Sequence, residues 1–233
     1  MEFKTASRKD VRIKMALAGK SGAGKTLSAL KIAKGLVSDV ATIGVLQTEA
    51  GRAQAYLDQI GPFKVLEMEP PFSPGKYIEG IEVAEKAGIK VLIIDSVSDE
   101  WAGLGGALDM HQAAADVVKN SFAAWKSVTP KHEMFFNKIL QAPIHIIGTV
   151  KKKTDYVIEE GNGGKKVPRR VGLKDIARED TEYRWMVQFD LDQDGNMAVV
   201  SKDNTSLFQG REPFRISEET GLAIRNWCLG KPE

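Results

Sequence analysis

The sequence predicts an α/β chain with a mostly parallel central sheet flanked by helices and a C-terminal antiparallel β-hairpin extension. Three observations predict it. Apolar segments of strand length alternate with segments of helical periodicity. One of them, Val91-Leu92-Ile93-Ile94, is apolar at every position, as a strand covered on both faces must be. Near the C-terminal end, Met186–Leu191 and Met197–Val200 flank Gln193-Asp194-Gly195-Asn196, a turn sequence suited to joining antiparallel strands.

Taken in order, the first strand is read over Val11–Ala18. A helix opens near Lys25, with Leu27, Leu30, Ala33 and Val37 on one face and Lys31 and Lys34 on another. Gly35 weakens its last turn. Ala41–Gln47 reads as the second strand and Lys64–Met68 as a third apolar stretch before a turn containing Pro70, Pro71, Pro74 and Gly75. Tyr77–Ala87 has helical spacing, and Lys90–Asp95 is the central strand. Residues Ala107–Leu140 read as helical, with a break expected at Thr129-Pro130 because proline lacks the N–H that a helix interior uses. Ile144–Val150 is the next strand. The polar, glycine-bearing stretch Lys151–Lys174 reads as a basic loop, and Glu218–Cys228 as a last helix.

A chain of 233 residues suits one α/β domain, and 42% hydrophobic content is enough for a sizeable core. The formal net charge is only +2, so overall charge does not announce a nucleic-acid protein and any basic surface must be local. The single cysteine, Cys228, excludes an intrachain disulfide framework and a Cys/His metal cluster, and it reads as a small apolar residue beside Trp227 and Leu229. Met1–Thr5 lacks an apolar signal core and no apolar run reaches membrane-span length, so the expectation is a soluble cytoplasmic protein without a membrane partner. His111, His132 and His145 are scattered, and His145 reads as a satisfied core residue. Asp190, Asp192 and Asp194 alternate towards a turn, but the Glu of a calcium loop is missing.

The run Gly19-Lys20-Ser21-Gly22-Ala23-Gly24-Lys25-Thr26 satisfies G-x-x-x-x-G-K-[ST] at every fixed position. Glycines let the backbone curl round an anion with its N–H groups inward. The helix that follows turns its positive dipole end towards the same anion. The expected ligand is ATP with Mg2+, cradled by Gly19, Ser21, Gly22, Ala23, Gly24, Lys25 and Thr26. Lys25 reaches the β- and γ-phosphates, while Thr26 and Asp95, the carboxylate ending the central strand, hold the metal.

Hydrolysis also needs a group to orient water. Ser96 follows Asp95, so the Glu that often stands there is absent. Glu49, just past the second strand, is the candidate, because such strand ends converge on the ligand crevice of an open sheet. Glu100 is the competitor, five residues beyond Asp95 and expected to point elsewhere.

Glu after the second strand and Asp-Ser after the central one make the chain resemble the RecA family. It is most similar there to the short RecA-like ATPases of tailed phages, which include single-strand annealing recombinases. The stretches that carry the likeness are the phosphate loop, Thr48–Ala53, Ile94–Trp101 leading to Gly105–Asp109, Thr149–Tyr156 and Val199–Asp203, which span about residues 10 to 205. The resemblance implies a single RecA-like domain over residues 1–233. Its parts are a nucleotide-binding core at 10–150, a basic loop at 151–174, and a hairpin with a terminal helix at 175–233. It also implies ATP hydrolysis, a homo-oligomer, single-stranded DNA as a partner, and a possible single-strand-binding protein. Lys151 or Lys153, which share one side of a strand, would reach a neighbour's γ-phosphate, and Thr149 would sense it. The family often carries Arg where this chain has Lys151, and lysine keeps the charge but loses the bidentate fork.

Between Lys151 and Lys174, eight basic residues stand against three acidic ones, a surplus of five in a chain of +2. Lys165, Lys166, Arg169 and Arg170 are the expected phosphate contacts for DNA. Tyr156 is the one aromatic nearby. Two other functions stay open: a P-loop small-molecule kinase, and a nucleotide-switched assembly or loading factor with little turnover.

Overall fold

The computed structural model describes residues 2–3, 5–160 and 166–230, with residues 156–160 and 166–171 followed by their backbone alone. Six strands run parallel: β1 (Lys14–Gly19), β2 (Ile43–Gln47), β3 (Lys64–Glu67), β4 (Val91–Asp95), β5 (His145–Glu160) and β7 (Val187–Leu191). The order across the sheet is β3-β2-β4-β5-β1-β7-β8-β9, where β8 (Met197–Asp203) and β9 (Phe214–Arg215) are antiparallel additions. β6 (Lys166–Asp175) pairs with the outer half of β5. The predicted fold class is therefore the observed one.

Strand alternation builds two cores, one on each face of the sheet. Met15 and Leu17 of β1 and Val91 and Ile93 of β4 point into the core beneath α1 (Lys25–Leu36) and α7 (Glu218–Cys228). Ala16, Ala18, Leu92 and Ile94 point the other way, towards α3 (Pro74–Lys86) and α6 (Ser121–Gln141). Residues Val91–Ile94 are all buried, as expected for a doubly covered strand. The other α-helices among the described residues are α2 (Leu57–Ile60), α4 (Ser98–Ala102) and α5 (Ala107–Val118). Gly35 has a reason beyond helix propensity, because a Cβ there would lie 2.0 Å from the Glu218 carbonyl, so α1 and α7 touch backbone to backbone.

Two sequence expectations need correction. The helical break falls at Lys119-Asn120, not at Thr129-Pro130. Lys119 takes a φ of 53°, and the Asn120 side chain caps α6 by accepting from the Ala123 N–H at 3.0 Å. Pro130 lies inside α6 on its exposed face, where water can satisfy the carbonyl left without a donor. The described parts of the basic stretch 151–174 are not a loop either. They are the strands of an antiparallel ribbon, Lys152 pairing with Asp175 and Glu160 with Lys166. The β-branched residues Thr154, Val157, Ile158, Val167 and Val171 suit that conformation.

Candidate active site

The C-terminal ends of β1, β2 and β4 and the middle of β5 open onto one cleft of about 360 Å³. Ser21, Gly22, Gly24, Lys25 and Thr26 form its floor, and Glu49, Asp95 and Lys151 its wall. Gly22 and Gly24 have φ of 81° and 78°, values that side-chain-bearing residues seldom take, which is why the loop can turn into α1. Gly19 and Ala23 support the loop without lining the cleft: Gly19 ends β1, and the Ala23 side chain is buried in the core.

Asp95 is the meeting point. Its Oδ2 accepts from Thr26 Oγ1 at 2.6 Å, and its Oδ1 accepts from Thr149 Oγ1 at 2.5 Å. The strand carrying Thr149 lies between β4 and β1, so the sheet order itself sets this contact. Lys25 Nζ folds back onto its own loop, donating to the Gly19 carbonyl at 2.9 Å and the Lys20 carbonyl at 2.7 Å. Burial holds the Lys25 ammonium below its ordinary pKa, and the Asp95 carboxylate opposes that effect.

Glu49 pairs with Arg52 and, at 3.3 Å, with Lys151 Nζ. Lys151 also donates to both oxygens of Asp99, at 2.8 and 3.0 Å. Burial pulls the Lys151 pKa down, but Asp99 and Glu49 together outweigh it and raise it, so the cation is firmly held. Asp99 further accepts from Thr48 Oγ1 at 2.6 Å and Ser96 Oγ at 2.9 Å. Glu100 is fully buried with its carboxylate 2.9 Å from His132 Nδ1, away from the cleft as the sequence suggested. Trp101 stacks on Trp125 at 5.6 Å and likewise stays out of the cleft.

Lys151 and Lys153 part company here. Lys151 lines the cleft of its own chain, whereas Lys153 lines a separate cavity with Trp101 and Arg178. Lys166, Arg169 and Arg170 sit on β6, and Lys165 lies outside the described residues. Sequence reasoning missed Arg52, Tyr56, Asp99 and Lys152, of which all but Asp99 line the cleft. Lys152 reaches across the end of β1 to Asp190 at 2.8 Å and Asp175 at 3.3 Å. Burial lowers its pKa and the two aspartates, prevailing, raise it. Asp99 left a sequence signal, as an acidic residue shortly after Asp95 in the Ile94–Trp101 stretch.

A family model described as an AAA domain matches residues 12–188. The chain belongs to the AAA domain family. The match takes in β1, the phosphate loop, Glu49, Asp95 and the whole β5–β6 ribbon of this AAA domain, so the cleft lies within the matched span of the chain. An AAA-type P-loop ATPase family is in keeping with the mostly parallel sheet and its flanking helices. A search of curated proteins returned no match. Among the described residues, no helix of the AAA domain is long and apolar enough to cross a membrane.

Proposed function

We propose that this AAA domain binds ATP with magnesium, hydrolyses it, and works on single-stranded DNA in annealing or recombination of the phage RecA-like kind. The observation that carries the nucleotide reading is the junction at Asp95, where the Thr26 and Thr149 hydroxyls reach one carboxylate above a phosphate loop. Hard divalent cations take oxygen donors, and the Thr26 hydroxyl and Asp95 carboxylate form such a pair, so these two residues would hold magnesium. When bound, the ion supplies charge neutralisation on the phosphates.

The chain's own residues divide the remaining work. Lys25 exchanges two loop carbonyls for phosphate oxygens, a short swing for a side chain already at the loop. Glu49 orients the attacking water from the cleft wall. Lys151 offsets charge that develops during phosphoryl transfer, and its place in its own chain's cleft supports action in cis. Tyr56 offers the base a ring at the cleft margin. Lys153 remains for a neighbouring copy in a homo-oligomer. The basic surplus of residues 151–174, including Lys165, Lys166, Arg169 and Arg170, supports phosphate-directed, sequence-blind DNA binding, with a single-strand-binding protein as a further partner.

The test is ATP hydrolysis with and without single-stranded DNA. Glu49→Gln should retain ATP and lose turnover about a hundredfold or more. Lys165→Ala with Lys166→Ala should weaken DNA binding and flatten its salt dependence, and unchanged affinity removes the DNA claim. The pairing of Glu49 with Arg52 and Lys151 favours one second reading, a nucleotide-switched loading factor with little turnover. In that case Glu49→Gln leaves biological activity intact.

A further inference from the structure

We propose that the side-chain amides of Gln193 and Asn196, in the turn between β7 and β8, are positioning residues that hold the phosphate loop ready for nucleotide. This inference rests on the reading of residues 19–26 as the nucleotide cradle. Gln193 Nε2 donates to the Ser21 carbonyl at 2.7 Å, and Asn196 Nδ2 donates to the Gly22 carbonyl at 3.1 Å. The chemistry fixes which end of each amide faces the loop, because a carbonyl oxygen can only accept.

A planar trans peptide points its C=O and its N–H in opposite directions. The Ser21 carbonyl shares a peptide with the Gly22 N–H, and the Gly22 carbonyl shares one with the Ala23 N–H. Drawing both carbonyls outward to the turn therefore fixes the orientation of two peptides in the loop. The loop needs such a hold. Gly22 and Gly24, both at positive φ, have wide conformational freedom, and an anion that must first order them binds more weakly.

The turn is itself well anchored. The Asp192 N–H donates to the Met197 carbonyl across it at 3.1 Å, and Asp192 Oδ1 accepts from the Met197 N–H at 3.1 Å. Behind it β7 pairs with β1, Leu191 lying opposite Gly19. The contact is close, since a Cβ on Gly24 would come within 3.3 Å of Asn196 Cγ. Asn196 has a φ of 54°, which asparagine tolerates better than most residues.

The test combines two neutral substitutions. Gln193→Met keeps side-chain length without the donor, and Asn196→Gly keeps the backbone conformation without the amide. Titration calorimetry with Mg-ADP measures affinity, steady-state kinetics give KM and kcat for ATP, and melting without nucleotide reports folding. The double variant should raise the ADP dissociation constant and KM about tenfold, with kcat changed less than about twofold and the nucleotide-free melting midpoint unmoved. If the pair does not fold, Gln193→Met alone should raise both constants about threefold. Unchanged affinity overturns the proposal, and so does a loss of affinity matched by a loss of nucleotide-free stability. A wild-type protein that binds no ADP instead removes the reading beneath it.

Discussion

Replacing Lys14 with methionine should change how stability depends on pH between about 8 and 10.5. Lys14 lies on β1 with 3% of its surface exposed, and its ammonium donates to the Ala142 and Ile144 carbonyls at 2.8 and 2.5 Å. Burial lowers its pKa from 10.5 to about 8, with Arg12 adding to the effect and Glu85 opposing it. Between those two values the unfolded chain binds a proton that the folded chain lacks. The Lys14 contribution to stability therefore rises with pH across that window and is constant below it. At about 1.4 kcal/mol per pH unit, the full rise is roughly 3 kcal/mol. Methionine keeps the aliphatic stem and removes the titration. Urea unfolding of both proteins at constant ionic strength checks the difference: wild type should gain on Lys14→Met by up to that amount as pH rises. A difference that stays flat, or falls, refutes the reasoning.

His145 should act at the acidic side. Its Nδ1 accepts from the Ile13 N–H at 3.1 Å, and burial lowers its pKa from 6.5 to about 4, so stability is lost as pH falls through that interval. His145→Asn should lessen the loss by roughly 2 kcal/mol, allowing for partial exposure, in unfolding experiments at both ends of the interval. Gly35→Ala improves helix propensity by about 1 kcal/mol, yet should destabilise the protein by about 2–4 kcal/mol, because its Cβ meets the Glu218 carbonyl. Calorimetric melting decides the sign. If the cleft hydrolyses ATP as proposed, Asp99→Asn should lower kcat about tenfold or more while leaving ATP affinity nearly intact. It removes the anion that holds Lys151 beside Glu49. Equal losses in kcat and affinity count against that role.

How much was legible depended on how local the cause was. The phosphate loop was readable because its backbone conformation is set by consecutive residues, with glycine at 22 and 24 where φ is positive. The Val91–Ile94 strand was readable because burial on both faces leaves no room for alternation. Lys14 was not, since with Arg12 it alternates against Val11 and Ile13 like a solvent-facing residue, and only neighbouring carbonyls reveal it as buried. Pro130 misled because its effect depends on which side of α6 faces water.

The sequence by itself determined the alternation of strands and helices, the loop at residues 19–26, and the identity of Asp95 and Glu49 as acids at strand ends. Tertiary structure alone decided which side chains meet. It set Thr149 on Asp95, Asp99 on Lys151, Asp190 on Lys152 and Gln193 on the loop carbonyl of Ser21. These contacts join residues far apart in the chain through the order in which the sheet stacks its strands. Local propensity and periodicity carry no information about that order, so the partners became visible only once the strands lay side by side.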